Sequence, residues 1–171
     1  DNTNALAFGG VTPTLVAVTE TWNGTNWTEV NDLNTARRSA GSGGASNTSA
    51  LVFSGNAPPG TNIKSETESW NGTNWTEVND VNSGRLELAG NGIATSALAF
   101  GGKTNPSTIV GNTEEWNGAA WTEVADLSTA RINLAGTAKT TAGLAIGGET
   151  TAVTTPREEW SSSSNEIKPL K

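Results

Sequence analysis

The sequence predicts an all-β protein made of about four repeated units, and three observations support this. Two sets of marker residues recur along the 171 residues with nearly the same period. Three of the units contain two Trp residues around an Asn-Gly signal, which is typical of a β-hairpin. Nowhere do apolar residues keep the i, i+3, i+4 spacing of an amphipathic helix. We therefore expect a repeat protein without helices.

The repeat is visible in two independent sets of residues. A Trp recurs at intervals of 48, 46 and 44 residues, and a Phe or Ile recurs at intervals of 45, 47 and 46 residues. A period of this size is the signature of a repeat architecture. The two sets are Trp22, Trp70, Trp116 and Trp160, and Phe8, Phe53, Phe100 and Ile146. The chain is predicted to be one domain, 1–171, with units at about 1–37, 38–85, 86–131 and 132–171.

Each unit is expected to supply antiparallel strands in a constant order. A short apolar strand reads ALAF, ALVF, ALAF and GLAI in successive units. A variable loop follows, then the hairpin with the Trp residues, and then a polar stretch of small residues that leads to the next apolar strand. Residues 1–4 align with the polar turn at 46–49. The first unit is therefore predicted to lack its innermost strand, and the other three to have four strands each.

The hairpin explains why two Trp residues return in each unit. If Asn23 and Gly24 form a two-residue turn, Trp22 lies opposite Thr25 and Glu20 lies opposite Trp27. Directly opposed residues share one face of a sheet, so both indole rings are predicted to lie on the same side and to form a packing layer. In the last unit, residues 161–164 replace the turn, and Asn165 is predicted to occupy the position of the second Trp.

Repeated charges accompany the Trp residues, and they allow two interpretations. A ring of Arg residues could hold an anionic ligand through bidentate contacts. Each Arg could instead pair with a half-buried Glu, which is costly to bury alone. Because the residues recur in every unit, we favour a structural role. The predicted structural set is Trp22, Trp27, Trp70, Trp75, Trp116, Trp121, Glu20, Glu68, Glu114, Arg37, Arg85 and Arg131.

These residues resemble the kelch repeat of β-propellers. The shared order is an apolar strand that ends in Gly-Gly, a Glu-x-aromatic motif, a Trp shortly after, and then a Leu and an Arg. The wording WNGTNWTEVNDLNTAR is also similar to repeats of tail-associated proteins of marine tailed phages. The resemblance implies a kelch-like β-propeller with about four blades of four antiparallel strands, the first of which lacks its innermost strand.

Strict antiparallel alternation places four variable loops on one face, together with the connections between units. The loops are residues 11–19, 56–67, 103–113 and 149–157. Variable loops on a repetitive scaffold commonly carry binding, although loops without a constraint would vary in the same way. The predicted ligand-binding residues are Thr12, Thr14, Asn56, Asn62, Lys64, Lys103, Asn105, Thr150 and Arg157.

The composition argues against several chemistries. The chain has no His, Tyr or Cys, so the copper site of kelch-like oxidases and a sialidase-type Tyr nucleophile are excluded. Neighbouring carboxylates such as Glu114 and Glu115 point to opposite faces of a strand. No acidic run has the spacing of a dedicated calcium site. We predict no catalytic residues, no metal site, no cofactor and no enzymatic activity.

The charge and apolar pattern also limit the partners. The net charge is −7 and the pI is about 4.5, which disfavours binding to a phosphate backbone. No apolar run approaches the roughly 20 residues that span a bilayer. We therefore expect no nucleic acid partner and no membrane insertion. The sequence has no Met, so we do not expect translation to start at Asp1.

Two functions remain after these exclusions. The first is a non-enzymatic binding or adhesion module, located on a virion tail or outside the cell, that recognises a cell-surface glycan or protein through the variable loops. The second is a structural assembly subunit without an external ligand, in which open sheet edges pair with other copies or other chains. Abundant Thr, Asn and Ser suit both functions, because their side chains hydrogen-bond sugars and keep exposed sheets soluble.

Overall fold

The computed structural model describes residues 3–60, 62–137, 141–150 and 157–170. Within these ranges every regular element is a β-strand, as the absence of a helical apolar pattern predicted. None of the described residues forms a helix that is long and apolar enough to cross a membrane.

The described residues form 21 strands, which are numbered in chain order. The first unit contains β1 (Ala5–Phe8), β2 (Val11–Thr12), β3 (Thr14–Leu15), β4 (Thr19–Trp22) and β5 (Trp27–Val30). The second contains β6 (Gly41–Ser46), β7 (Ser49–Phe53), β8 (Asn56–Ala57), β9 (Asn62–Ile63), β10 (Thr67–Trp70) and β11 (Trp75–Val78). The third contains β12 (Ala89–Ile93), β13 (Ser96–Phe100), β14 (Lys103–Asn105), β15 (Thr108–Ile109), β16 (Thr113–Trp116) and β17 (Trp121–Val124). The fourth contains β18 (Ala135–Thr137), β19 (Ala142–Ile146), β20 (Arg157–Ser161) and β21 (Glu166–Leu170).

Each unit forms one main antiparallel sheet. The first sheet has three strands in the order β1-β4-β5, and the second, third and fourth have four strands in the orders β6-β7-β10-β11, β12-β13-β16-β17 and β18-β19-β20-β21. The innermost strand β12 packs against β6 on one side and β18 on the other. The sheets therefore follow one another in chain order with their inner strands in contact, in a β-propeller-like arrangement. No described strand pairs with the inner edge of β1.

The Trp hairpins have a different register from the predicted one. Trp22 lies opposite Trp27, and Glu20 lies opposite Glu29, so the connecting loop has four residues rather than two. The side-chain Oδ1 of Asn23 accepts hydrogen bonds from the backbone N–H groups of Thr25 and Asn26 at 2.9 and 3.0 Å. This side chain takes over the closure of the turn. The two rings still share a face, because directly opposed residues do so.

The last hairpin also differs from its prediction. The residue opposite Trp160 is Ile167, not Asn165. Asn165 lies in the turn with a φ of 47°, and its Oδ1 accepts a hydrogen bond from the backbone N–H of Ala125 at 3.0 Å. An Asn tolerates this left-handed conformation better than a branched residue does. The apolar position of the hairpin is therefore filled by Ile167, which packs against the core that contains Trp160.

The core lies between successive sheets, where aromatic rings of neighbouring units meet. The Phe8 and Trp75 ring centroids are 4.9 Å apart, and those of Phe53 and Trp121 are 4.8 Å apart, both edge to face. A fully buried Trp removes roughly 150–250 Å² from water, which corresponds to about 4–6 kcal/mol before the opposing entropy is counted. Trp75 therefore joins the second sheet to the first.

Candidate ligand-binding site

Buried Arg–Glu pairs fix the connections between units. Arg37 lies in the connection that leads to β6, and its Nη2 donates to the Glu68 carboxylate of the second sheet at 2.7 Å. Both side chains are 1% exposed. Arg37 Nη1 also donates to the backbone carbonyls of Ser54 and Glu66. With Nε donating to the Thr35 carbonyl as well, four acceptors set its position in the sheet stack.

The connection that carries each Arg also donates further hydrogen bonds to the paired Glu carboxylate. The Oε2 atom of Glu68 accepts from the backbone N–H and the side-chain amide of Asn34 at 2.7 and 2.9 Å. The same pairing recurs between Arg85 and Glu114 at 2.9 Å and between Arg131 and Glu158 at 2.7 Å.

The buried position of the Arg residues bears on the alternative of an anion-binding ring. Burial lowers the pKa of the Arg85 guanidinium from its ordinary value, against the opposing effect of Glu114. Arg37, Arg85 and Arg131 are 2% exposed or less. A ring of these residues would face protein rather than an external anion.

The first sheet does not follow this pattern. Glu20 is exposed, and it makes no ion pair with any described residue. Trp27 is 47% exposed, and Trp22 is half-buried with its ring centroid 5.5 Å from that of Trp27. The packing layer expected here thus has one open side, because no described sheet lies against this face.

The structure brings two of the predicted binding residues together in one groove. Asn56 and Lys103 belong to neighbouring variable loops, and both line a cavity of about 330 Å³. Connections between units supply most of the remaining wall. The other lining residues are Arg38, Ser39, Leu86, Glu87 and Pro106. The cavity is therefore formed where a variable loop meets the connection of the next unit.

Backbone hydrogen bonds hold the walls of this groove. Arg38 and Asn56 exchange N–H to carbonyl bonds of 3.0 and 2.9 Å, and Leu86 and Lys103 do the same at 3.0 and 2.9 Å. The Lys103 ammonium lies 2.8 Å from the carboxylate of Glu87. Variable loops and connections are thus joined on one face of the molecule.

Asn56 has a buried side-chain acceptor that lacks a hydrogen-bond donor. The residue is 4% exposed, and no described residue donates a hydrogen bond to its Oδ1 atom. A buried acceptor without a donor costs about 1–3 kcal/mol. Asn56 is at the same time a lining residue of the groove.

Two of the predicted binding residues are engaged in their own loops. Lys64 pairs with Glu66 at 3.0 Å. Although burial works to raise it, the pKa of Glu66 lies below its ordinary value, because its backbone hydrogen bond and the charges of Lys64 and Arg37 favour the carboxylate. Asn105 closes its own turn, with Oδ1 accepting from the Thr108 N–H at 2.9 Å.

The remaining predicted residues do not line the groove. Thr12 and Thr14 face each other at the exposed tip of the β2–β3 ribbon, and Asn62 is exposed in β9. Thr150 is half-buried in a bend, and Arg157 is exposed at the start of β20 rather than in a loop. The residues between these last two lie outside the described part of the chain.

Sequence reasoning missed the connection residues of the groove. Ser39 and Glu87 occupy equivalent positions, both with left-handed φ angles of 55° and 59°, and the Glu87 N–H donates to the Ser39 carbonyl at 2.9 Å. Strict antiparallel alternation places the connections and the variable loops on one face, and this was the signal that could have identified these residues. Among the described residues, no cluster of three or more Asp, Glu, His or Cys forms a metal site.

Comparison with known proteins bears on the fold. Neither a family model nor a curated protein matches the sequence. Solved structures do match, among them that of YjhT, with a TM-score of 0.77 and 14% identity over 92% of this chain. The chain spans about half, 53%, of the length of that chain. At this identity the likeness concerns the fold alone, and it agrees with the β-propeller-like arrangement.

Proposed function

We propose that the four sheets are kelch-like blades and that their loop face is a non-enzymatic binding site for a cell-surface glycan or protein. The order of motifs along each unit supports the kelch-like assignment. The repeated Phe–Trp contact between neighbouring sheets supports a radial stack of blades. We further propose that the protein acts outside a cell or on a virion tail, where such recognition takes place.

The groove in which two variable-loop residues, Asn56 and Lys103, meet is the observation that carries this proposal. It measures about 330 Å³, which lies within the range of small-ligand pockets. A sugar hydroxyl would accept a hydrogen bond from a cation on the rim, where Arg38 is exposed. The groove therefore fits a hydroxyl-rich ligand such as a glycan better than an apolar one.

The charges of the groove favour binding without turnover. Lys103 and Glu87 already pair with each other at 2.8 Å, and such a pair offers no free base. General acid–base catalysis needs a group whose proton can move to or from the ligand at the working pH. We therefore propose retention of the glycan without cleavage.

An array of cell-surface glycans tests the proposal, with affinities of retained glycans measured by calorimetry. We expect Asn56→Ala and Lys103→Ala to weaken binding at least about tenfold, which corresponds to about 1.4 kcal/mol. Lys64→Ala is the matched control, because this lysine lies on a variable loop outside the groove. Equal losses in all three variants, no retained glycan or surface protein, or cleavage of a retained glycan would contradict the proposal.

A further inference from the structure

The dipeptide Asn-Gly occurs four times in the chain, in two different structural settings. Three copies, at residues 23–24, 71–72 and 117–118, lie in the turns of the Trp hairpins. The fourth, Asn91 and Gly92, lies inside the innermost strand β12. The sequence of the dipeptide does not rank these copies, because it is identical in all four. The structure ranks them, since it fixes how exposed and how firmly held each copy is.

An Asn that is followed by Gly can react within the chain. The backbone nitrogen of the Gly attacks Cγ of the Asn, a C–N bond forms, and the side-chain nitrogen leaves as ammonia together with the amide proton of the Gly. Water then opens the cyclic imide at either of its two carbonyl carbons, which yields aspartate or isoaspartate. Gly favours the ring closure because it has no Cβ that obstructs the approach, and Asn is a thermolabile residue.

The hairpin turns present both reacting groups. Asn117 and Gly118 are exposed, and no described residue accepts a hydrogen bond from the N–H of Gly118. The Oδ1 atom of Asn117 accepts from the backbone N–H groups of Ala119 and Ala120, both at 2.9 Å. Two fixed donors stabilise the negative charge that this oxygen gains when Cγ is attacked. The other two turns have the same pair of bonds, at 2.9 to 3.0 Å.

The copy in β12 lacks these conditions. Asn91 is 6% exposed, and no described donor reaches its Oδ1 atom. Its backbone is paired with that of Leu98, and the backbone of Gly92 is paired with that of Ala97. The Nδ2 atom of Asn91 donates to the Thr137 carbonyl at 2.9 Å. Ring closure at this copy would require β12 to leave its sheet, so the copy is protected.

Two of the turns differ in how firmly the preceding unit holds them. Asn31 donates two hydrogen bonds, of 2.9 and 2.8 Å, to the turn that begins at Asn71. Asn79 donates one bond, of 2.8 Å, to the turn that begins at Asn117. The Gly of the Asn71 turn is also half-buried, whereas that of the Asn117 turn is exposed. Because the ring closes only when the turn changes its backbone angles, the more firmly held turn reacts more slowly.

We propose that the three Asn-Gly turns are sites of spontaneous deamidation, that Asn117 is converted faster than Asn71, and that Asn91 is spared. An aspartate in the turn keeps both N–H contacts, because a carboxylate accepts the same bonds. An isoaspartate lengthens the main chain by a methylene group, and at position 71 this displaces the Thr73 carbonyl that Asn31 holds. Each conversion adds a negative charge to a chain whose net charge is −7.

Peptide mapping tests the proposal, because trypsin places the four copies in separate peptides. These are residues 1–37, 65–85, 86–103 and 104–131. The 171-residue chain is incubated in mildly alkaline buffer, once folded and once in concentrated urea. Mass spectrometry with fragmentation quantifies the modified Asn over time, and labelling with an isoaspartyl methyltransferase counts the isoaspartate. In urea we expect similar rates for all four copies. In the folded chain we expect each turn to convert at least about tenfold faster than Asn91.

Two variants test the role of the contacts from the preceding unit. Asn31→Ala removes the two bonds that hold the Asn71 turn, and we expect conversion of Asn71 to accelerate about threefold or more. Asn117 should keep its rate in this variant, which reports that the fold is intact. Asn79→Ala is the matched variant, and it should accelerate the conversion of Asn117 alone.

Three results would overturn the proposal. The first is that no turn converts in the folded chain while the same peptides convert in urea. The second is that Asn91 converts as fast as the turns. The third is that Asn71 converts as fast as Asn117, or that Asn31→Ala leaves its rate unchanged. Glycan binding is tested independently, because none of the four Asn-Gly copies lines the glycan groove.

Discussion

The first and second sheets contain the same nine residues, WNGTNWTEV, at 22–30 and 70–78. Their strand pairing is also the same, with the two Trp residues directly opposed in each hairpin. Their surroundings are not, since Trp27 is 47% exposed and Trp75 is 5% exposed. An identical local sequence with identical local structure thus has two energetic roles, and the neighbouring sheet decides between them.

The neighbour acts through specific atoms rather than through general coverage. The Trp75 indole N–H donates to the Thr19 hydroxyl of the first sheet at 3.0 Å, and its ring meets Phe8 edge to face. Trp121 repeats both contacts with Thr67 and Phe53 of the second sheet. The first and second sheets therefore each complete the packing of the sheet that follows them.

The largest expected effect is the contrast between truncating Trp75 and truncating Trp27. Trp75→Ala should lower the free energy of unfolding by about 3–5 kcal/mol, because a buried ring and its packing are lost. Trp27→Ala should cost less than half of that, since water already reaches the ring. Urea denaturation of both variants measures the difference. Equal losses would mean that the exposed hairpin is as tightly packed as the buried one.

The second expected effect is the contrast between Glu68 and Glu20. Glu68→Gln removes the charge that neutralises the buried Arg37, and the loss should be about 3 kcal/mol, at the lower end for a broken buried pair because the amide still hydrogen-bonds. Glu20→Gln should stay within about 0.5 kcal/mol, as for most exposed positions. Thermal unfolding at pH 7 measures both. If Glu68→Gln does not lower the stability, the pair fixes the position of the Arg37 side chain without stabilising the fold.

Much of the architecture could be predicted from the sequence, because the repeat reports it several times over. The intervals between the Trp and Phe markers indicated four units, and the lack of a helical stripe indicated an all-β chain. The exposure of Trp27 could not be predicted, because residues 22–30 and 70–78 are indistinguishable. Burial here depends on a sheet that lies elsewhere in the chain or is not among the described residues.

The finer predictions failed where a side chain competed with the backbone. The two-residue turn at Asn23 was wrong because its Oδ1 closes a four-residue loop instead. Asn165 was placed at the second Trp position by counting residues, whereas Ile167 lies there because apolar burial sets the register. Of the predicted binding residues, Asn56 and Lys103 meet in one groove because their backbones pair with the connections, which a count along the loops does not reveal.

The smallest expected effect concerns the glycines that cover the Phe rings. A Cβ on Gly90 would lie 2.5 Å from Phe53 Cζ and 2.6 Å from the Ser42 carbonyl oxygen. We expect Gly90→Ala to cost about 1–3 kcal/mol through overpacking. The corresponding residue of β6 is Ser42, and it lines the open groove beside Phe8, so the first sheet has no such tight cover.

Gly44→Ala is the matched control, since its Cβ would meet the Ser49 carbonyl oxygen at 3.3 Å and Ala50 Cβ at 3.4 Å. Such contacts need only a small adjustment, and Ala restricts the unfolded chain more than Gly does. We therefore expect Gly44→Ala to change the free energy of unfolding by less than about 1 kcal/mol. If both variants unfold at the same urea concentration, the inner strands are looser than their backbone contacts imply. The difference in burial between Phe53, which is buried, and Phe8, which is half-buried, would then arise from the aromatic contacts alone.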